Sequence, residues 1–404
     1  VKHNNSIKLI FVIFIIALEV SGCGSNSGNV NERGNQELRS VLQVPPHLPM
    51  PAIPSFNPPT AEKIELGRFL FYDKKLSANQ TQSCASCHEQ ALAFTDGKQR
   101  AVGSTGQVHF RNSQSLANAM YNSSFTWANN GFLWLEDQII VPLVGDNPVE
   151  LGITDSVRPE VLQRFANDPL YQELFAKAFP ADSTVSLQKI IFALASFCRT
   201  IVSGQTPYDR FLQGDETALD EQQKLGLQLF NGEKFECFHC HSGINLTVSH
   251  KDGNADPAGV TFSFFNNGLY NLDGQGSYPR SDQGLYDLTG RPSDRGSFRP
   301  QSLRNVELTA PYMHDGSIET LEDVIRHYAR GGRLISSGPN AGDGKLSPLK
   351  SGLIRGFALN PGEMEAVVAF LRSLTDWELL NNPRLSNPFT NPETINISNA
   401  EEYD

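Results

Sequence analysis

Cys84-Ala85-Ser86-Cys87-His88 and Cys237-Phe238-His239-Cys240-His241 decide how this chain is read. A single Cys-x-x-Cys unit admits a redox dithiol or half of a zinc site. Two units, each closed by histidine, read as attachment sites for c-type haem. The cysteines form thioethers to the porphyrin vinyls, and the histidine ligates iron from one side. A zinc site would instead need four ligands converging from both units. Cys84, Cys87 and His88 therefore belong to a first haem, and Cys237, Cys240 and His241 to a second.

The flanking sequence repeats with the motifs. Leu66-Gly67-Arg68-Phe69-Leu70-Phe71 precedes the first, and Leu225-Gly226-Leu227-Gln228-Leu229-Phe230 the second. The expected fold is mainly α: two cytochrome c-like haem domains with long loops and few short strands. The divisions are a signal peptide over 1–22, a tether and extended segment over 23–60, and an N-terminal haem domain over 61–215. A C-terminal haem domain over 216–380 and a polar, poorly ordered tail over 381–404 complete the chain. Apolar residues at helical spacing predict helices over Leu187–Val202 and Leu170–Phe179. Thr320 with Asp323 caps a third helix that ends at Gly331-Gly332, and Asn360 with Pro361 and Glu363 starts a fourth. Strand signals are weak, around Val260–Phe265 and Val306–Leu308. Ser249–Pro300 reads as a long loop region, the kind of segment that carries function. Its composition agrees with the 33 glycines and 24 prolines of the whole chain.

The 404 residues exceed the usual size of a single core. A haem in each domain offers the apolar surface that such loop-rich domains need. The net charge of -11 argues against a nucleic-acid partner. Lys2 and Lys8 lead into an apolar run, Leu9 to Leu18, too short to cross a bilayer, which needs about 20 residues. This reads as a secretory signal. Val20-Ser21-Gly22-Cys23 resembles a lipobox, which makes Cys23 the lipidated residue, and Gly24 to Gly34 suits a flexible tether. The expected location is the periplasmic face of a bacterial membrane, with the outer membrane favoured by Ser25. The lipid anchor would be the only membrane contact.

Asn147-Pro148-Val149-Glu150 and Leu303-Arg304-Asn305-Val306, with Thr309-Ala310-Pro311-Tyr312-Met313-His314-Asp315-Gly316, extend the pattern beyond the haem motifs. Together these residues resemble the bacterial dihaem cytochrome c peroxidase and MauG superfamily, from about Glu62 to Thr375. Thr81-Gln82-Ser83 ahead of the first motif, Thr126-Trp127-Ala128-Asn129 and Pro207-Tyr208-Asp209-Arg210 are similar to the MbnH-type branch. The resemblance implies a haem peroxidase-type oxidoreductase that uses hydrogen peroxide. In that branch it oxidises a tryptophan to kynurenine on a secreted, copper-associated partner of MbnP type.

The resemblance also implies roles. His88 is the only protein ligand of the first iron, and His241 with Tyr328 hold the second. The peroxidase branch carries methionine at the place of Tyr328. Ser104 stands where that branch has a histidine ligand to the first iron, and His109 is the rival for that place. Glu150 is the acid and base for peroxide, Gln138 orients it, and Pro142 crowds the site. Trp127 lies between the haems, while Trp134 reads as packing. One calcium ion takes the Asn112 side-chain oxygen and the carbonyls of Thr309 and Pro311. His314 and Asp315 order the surroundings of the second haem, His239 faces outward, and Cys198 is a core thiol. Phe235 replaces the surface tryptophan through which MauG passes electrons. Two other functions stay open: a peroxidase fed by a small redox protein, and an electron carrier without chemistry of its own.

Overall fold

The computed structural model describes residues 27–254 and 263–390. In chain order the helices are α1 (Ser27–Leu42), α2 (Ala61–Tyr72), α3 (Leu135–Val144), α4 (Arg158–Ala166), α5 (Pro169–Ala178) and α6 (Leu187–Cys198). They continue as α7 (Pro207–Leu212), α8 (Glu221–Phe230), α9 (Tyr286–Thr289), α10 (Leu321–Arg330), α11 (Pro361–Arg372) and α12 (Trp377–Asn381). Two small antiparallel ribbons pair Phe265–Asn266 with Ser297–Phe298, and Leu334–Ile335 with Gly342–Asp343. The fold is mainly α with few short strands, as the sequence predicts. Among the described residues no helix is long and apolar enough to cross a membrane.

The internal repeat is physical. Helix α2 crosses α6 at Gly67, where a Cβ would lie 2.0 Å from the carbonyl oxygen of Ala193 and 2.8 Å from Cβ of Phe197. Helix α8 crosses α11 at Gly226, where a Cβ would lie 1.9 Å from the carbonyl oxygen of Ala366 and 2.8 Å from Cβ of Phe370. Only glycine permits backbones to approach so closely. Each crossing sits in its own apolar core. The first holds Leu66, Leu70, Phe71, Ala193, Leu194 and Phe197, and the second Phe230, Val367, Val368, Phe370 and Leu371. Two forked ion pairs are buried as well: Arg199 on Glu136 with both bonds at 2.8 Å, and Arg304 on Asp209 likewise.

Several boundaries differ from the sequence reading. Helix α6 stops at Cys198 rather than Val202, because Arg199 turns into its pair with Glu136 and the Thr200 hydroxyl donates to Phe197 O. Val306–Leu308 is a 3-10 turn, not a strand. Asn305 enters it at φ 60°, and the Tyr312 hydroxyl donates to Val306 O. The other expected strand is reduced to Phe265–Asn266, and residues 255–262 fall outside the described residues. The 249–300 loop region has a small core of its own, in which Leu269, Tyr270, Tyr278, Leu285 and Phe298 pack with Ala128 and Ile318. Helix α1 begins at Ser27, inside the segment expected to be a flexible tether. The signal peptide and Cys23 lie outside the described residues.

The largest departure is at the C-terminal end. Helix α12 and the residues after it cross back to the first domain, where Leu379 and Leu385 join the N-terminal core. Arg68, in α2, donates to Ser386 O and Pro383 O, and the Tyr72 hydroxyl donates to Leu385 O. The described part of the expected polar tail is therefore docked, because its backbone carbonyls satisfy buried donors of α2.

Candidate functional site

Each Cys-x-x-Cys-His unit opens with a short 3-10 turn, Cys84–Ser86 and Cys237–His239, and borders a cavity. His88 Nδ1 lies 2.8 Å from Phe94 O, and His241 Nδ1 lies 3.2 Å from Leu246 O. A carbonyl only accepts, so Nδ1 carries the proton in both rings and Nε2 keeps its lone pair. Burial lowers the pKa of both rings, that of His241 to about 4, so both are neutral. The cysteines show the opposite of a redox dithiol: burial pushes Cys87 and Cys237 up to about 12 and Cys240 to about 11. The cavity beside the first unit measures about 470 Å³ and that beside the second about 260 Å³. Apolar walls, a paired thiol and a neutral imidazole with fixed tautomer fit a covalently attached haem in each.

Around the N-terminal cavity, α3 supplies Gln138 and Pro142. The chain then returns along the same helix, with Leu151 N–H on Pro142 O and Ile153 N–H on Leu143 O. That return brings Glu150 to the cavity beside Gln138. Burial raises the Glu150 carboxyl to about 7, and Gln138 Oε1 is buried without a hydrogen-bond partner. His109 borders the same cavity, 3.9 Å from Glu150. Ser104 Oγ is buried and unpartnered, and its backbone N–H donates to Glu150 O. Cys198 borders this cavity as well, beside Cys84.

Tyr328, from α10, borders the C-terminal cavity together with Cys237, Cys240 and His241. Burial pushes its phenol up to about 12, against a hydrogen bond from Asn267 that favours the phenolate. His314 borders this cavity too, stacked on Phe298 at 3.7 Å, and Asp315 accepts from the Tyr270 hydroxyl. Asn112, Thr309 and Pro311 all border this cavity. The Asn112 amide nitrogen donates to Lys98 O, and among the described residues none donates to Oδ1. Phe235 is buried against Phe357, with ring centroids 4.2 Å apart, so it is not a surface side chain. His239 is half-buried, close to Glu233 and Glu236.

Trp127 borders both cavities, and its indole N–H donates to Asn112 O at 2.9 Å. Trp134 is set apart from it. It packs edge-on to Phe56, with the Lys251 ammonium 3.9 Å over its ring. Sequence reasoning missed Arg299, which also borders both cavities and is 2 % exposed. Its backbone N–H donates to Trp127 O, and its side chain donates to Thr126 O, Gln114 and Gln301. Nη1 is buried without a partner, and burial lowers the guanidinium pKa to about 9. A lone Arg-Pro pair gives no spacing signal that could have found it.

A family profile described as di-haem cytochrome c peroxidase matches residues 61–217. Cytochrome-c peroxidase IdrP1 of Pseudomonas sp. (strain SCT) is 35% identical over 349 residues, spanning 82% of this chain and 86% of that protein. Methylamine utilization protein MauG of Methylorubrum extorquens is 31% identical over 355 residues, spanning 88% and 89%. The crystal structure of a MauG-like protein associated with microbial copper homeostasis superposes with a TM-score of 0.84 at 46% identity, covering 86% of this chain and 98% of that one. With two haem motifs on two matching helix crossings, and this kinship over most of its length, the chain belongs to the dihaem cytochrome c peroxidase and MauG family of oxidoreductases.

Proposed function

We propose that the protein is a hydrogen peroxide-dependent dihaem oxidase of the MauG and MbnH type. It oxidises an aromatic residue on a secreted partner protein, a tryptophan taken to kynurenine, by electron transfer through the protein. The observation that carries this reading is Tyr328 in the cavity of His241. A phenolate is a hard, anionic ligand that favours ferric and higher states, whereas a thioether favours the ferrous state. A tyrosine there suits storage of oxidising equivalents rather than routine electron uptake. The copper association of the 46% identical protein supports a copper-associated partner.

The bound haems supply the redox chemistry, and the chain's own residues do the rest. Cys84, Cys87 and His88 would hold the first haem. Glu150 takes a proton from one peroxide oxygen and delivers it to the other. Gln138 orients peroxide with the side-chain oxygen that has no protein partner. Pro142 narrows the cavity. His241 and Tyr328 would hold the second haem, and Trp127, bordering both cavities, would carry charge between the two sites. Asn112, through its side-chain oxygen, and Thr309 and Pro311, through their carbonyls, would hold one calcium ion, since neutral oxygens suit a hard cation. Cys23, lipidated, keeps the enzyme at the periplasmic face of the membrane where a secreted partner is met.

Stopped-flow spectroscopy of the as-purified diferric protein with stoichiometric peroxide tests this reading. The expected result is reaction without prior reduction, leaving two oxidising equivalents that a reductant titrates. Reaction only after one-electron reduction, followed by fast turnover with a small redox protein, would overturn it in favour of an electron-fed peroxidase.

A further inference from the structure

Three arginines among the described residues are 2–3 % exposed: Arg199, Arg299 and Arg304. Arg199 forks onto the carboxylate of Glu136, and Arg304 onto that of Asp209. Arg299 has no carboxylate partner among the described residues. Its Nε–H donates to Thr126 O at 3.0 Å, and Nη2 donates to Gln114 Oε1 at 2.6 Å and to Gln301 Oε1 at 2.9 Å. Those acceptors are all neutral, and Nη1 is buried with no acceptor among the described residues. Gln301 shows the same deficit. A guanidinium only donates, so it fixes which way the Gln301 amide faces, with Oε1 toward Arg299 and Nε2 away from it. That Nε2 is also buried without an acceptor. Both residues border the cavity of Cys237, Cys240 and His241, and the Gln301 backbone lies against the His241 ring.

Two neighbouring donors thus lack an acceptor, and charge decides which kind they need. A water would satisfy a donor but leave the cation uncompensated, and a buried cation without a counter-charge is costly. Burial, with no anion opposing it, already lowers the guanidinium pKa to about 9. A carboxylate supplies both the lone pairs and the charge. The acidic side chains that border the two cavities do not supply it: Asp282 is paired with Arg111, Glu236 stands with Glu233 and His239, and neither Glu150 nor Asp287 pairs with Arg299. The cofactor itself carries two carboxylates, on its propionate arms. We propose that Arg299 and Gln301 form the seat of a propionate carboxylate of the haem held by His241, with Arg299 Nη1 and Gln301 Nε2 as its donors. Arg299 also fixes the loop of Trp127, since its backbone N–H donates to Trp127 O at 2.8 Å beside the Nε bond to Thr126 O. The seat therefore ties the second haem to the loop whose tryptophan borders both cavities.

The experiment compares the diferric holoprotein with its Arg299→Met, Arg299→Lys and Gln301→Leu variants, after haem content has been measured for each. Resonance Raman spectra give the propionate bending band, which reports hydrogen bonds to the carboxylate directly. That band is expected at lower frequency in Arg299→Met and in Gln301→Leu. Spectroelectrochemical titration reads the charge. Without the cation the second haem should be harder to reduce, its ferrous-to-ferric ratio at a fixed poise falling about tenfold. Gln301→Leu keeps the charge and should stay within about twofold of wild type. Arg299→Lys should restore the ratio that Arg299→Met loses. A wild-type band in both Arg299→Met and Gln301→Leu would overturn the seat and leave the two donors to water. A ratio that falls alike in Arg299→Met and Arg299→Lys would overturn the charge pairing. If Arg299→Met does not take up two haems, Gln301→Leu decides, and an unshifted band there overturns the proposal.

Discussion

At the residue scale, two glutamates near α3 show how surroundings assign roles. Burial pushes Glu136 up, but the forked bonds and charge of Arg199, with Asn57, outweigh it and hold the carboxyl below its usual value. Glu150 has burial alone and rises to about 7. Glu150→Gln is therefore expected to slow the reaction with peroxide by about 100-fold or more. The wild-type rate constant should climb with pH through about 7, where the base form appears, and that limb should vanish in the variant. Stability moves the other way. A carboxyl raised in the folded state contributes stability below its unfolded pKa of about 4.3, and loses it as pH rises through about 7. Melting curves should show Glu150→Gln gaining on wild type between pH 5 and pH 8, and a constant gap would count against a half-buried, titrating Glu150. Tyr328→Phe keeps the ring beside Val324 and Ile325 but removes the oxygen. Loss of the low-spin signal of the second haem is expected in its spectrum, and an unchanged signal would remove Tyr328 as a ligand. Such residues were legible where their chemistry fixes a spacing, as in the two Cys-x-x-Cys-His units. Arg299 was not, because besides the neighbouring Gln301 it is held by Gln114 and Thr126, which only the fold brings to it.

At the element scale, each domain depends on one helix crossing at one glycine. Gly67→Ala must push its Cβ against Ala193 O, and Gly226→Ala against Ala366 O. Backbone cannot yield as a flexible side chain does, so each substitution is expected to cost about 3 kcal/mol. Gly352 has nothing within 4 Å of an added Cβ, so Gly352→Ala should change stability by less than about 0.5 kcal/mol. Urea unfolding of the three variants measures this, and a Gly226→Ala protein as stable as Gly352→Ala would remove the crossing from the account. Helix starts were readable because their caps are local: Asn360 and Glu363 form a reciprocal box, and Thr320 accepts from Asp323 N–H. The end of α6 was not, since what stops it is Glu136, far away in the chain. Val306–Leu308 misled for a related reason. Three apolar residues in a row suit a strand, yet the partner that sets their shape is the Tyr312 hydroxyl.

At the scale of the whole molecule, the chain returns to where it began. Residues 377–390 wrap onto the first domain, so the N-terminal core is completed by the last described residues. Composition hides this, because the segment is polar and most of its contacts use backbone carbonyls. Arg68 is the key donor. It is 5 % exposed and gives its Nε–H to Ser386 O at 2.8 Å and its Nη2–H to Pro383 O at 3.1 Å. The nearest carboxylate, Glu65, stands 3.9 Å away. Ending the chain after Asn382 strips Arg68 of both acceptors, takes Leu385 O from the Tyr72 hydroxyl, and removes Leu385 itself, 2 % exposed, from the core. A buried cation left with poor compensation costs about 3 kcal/mol, and the lost leucine about 2 kcal/mol more. The truncated protein should therefore unfold in two steps, with the first haem domain melting well below the second, as followed by the absorbance of the two haems. Adding Arg68→Met should recover part of the loss, since a thioether needs no acceptor. Truncation that leaves a single transition at the full-length midpoint would show that the returning segment only lies on the surface. Truncation without rescue by Arg68→Met would place the loss in Leu385 and the backbone instead of the cation.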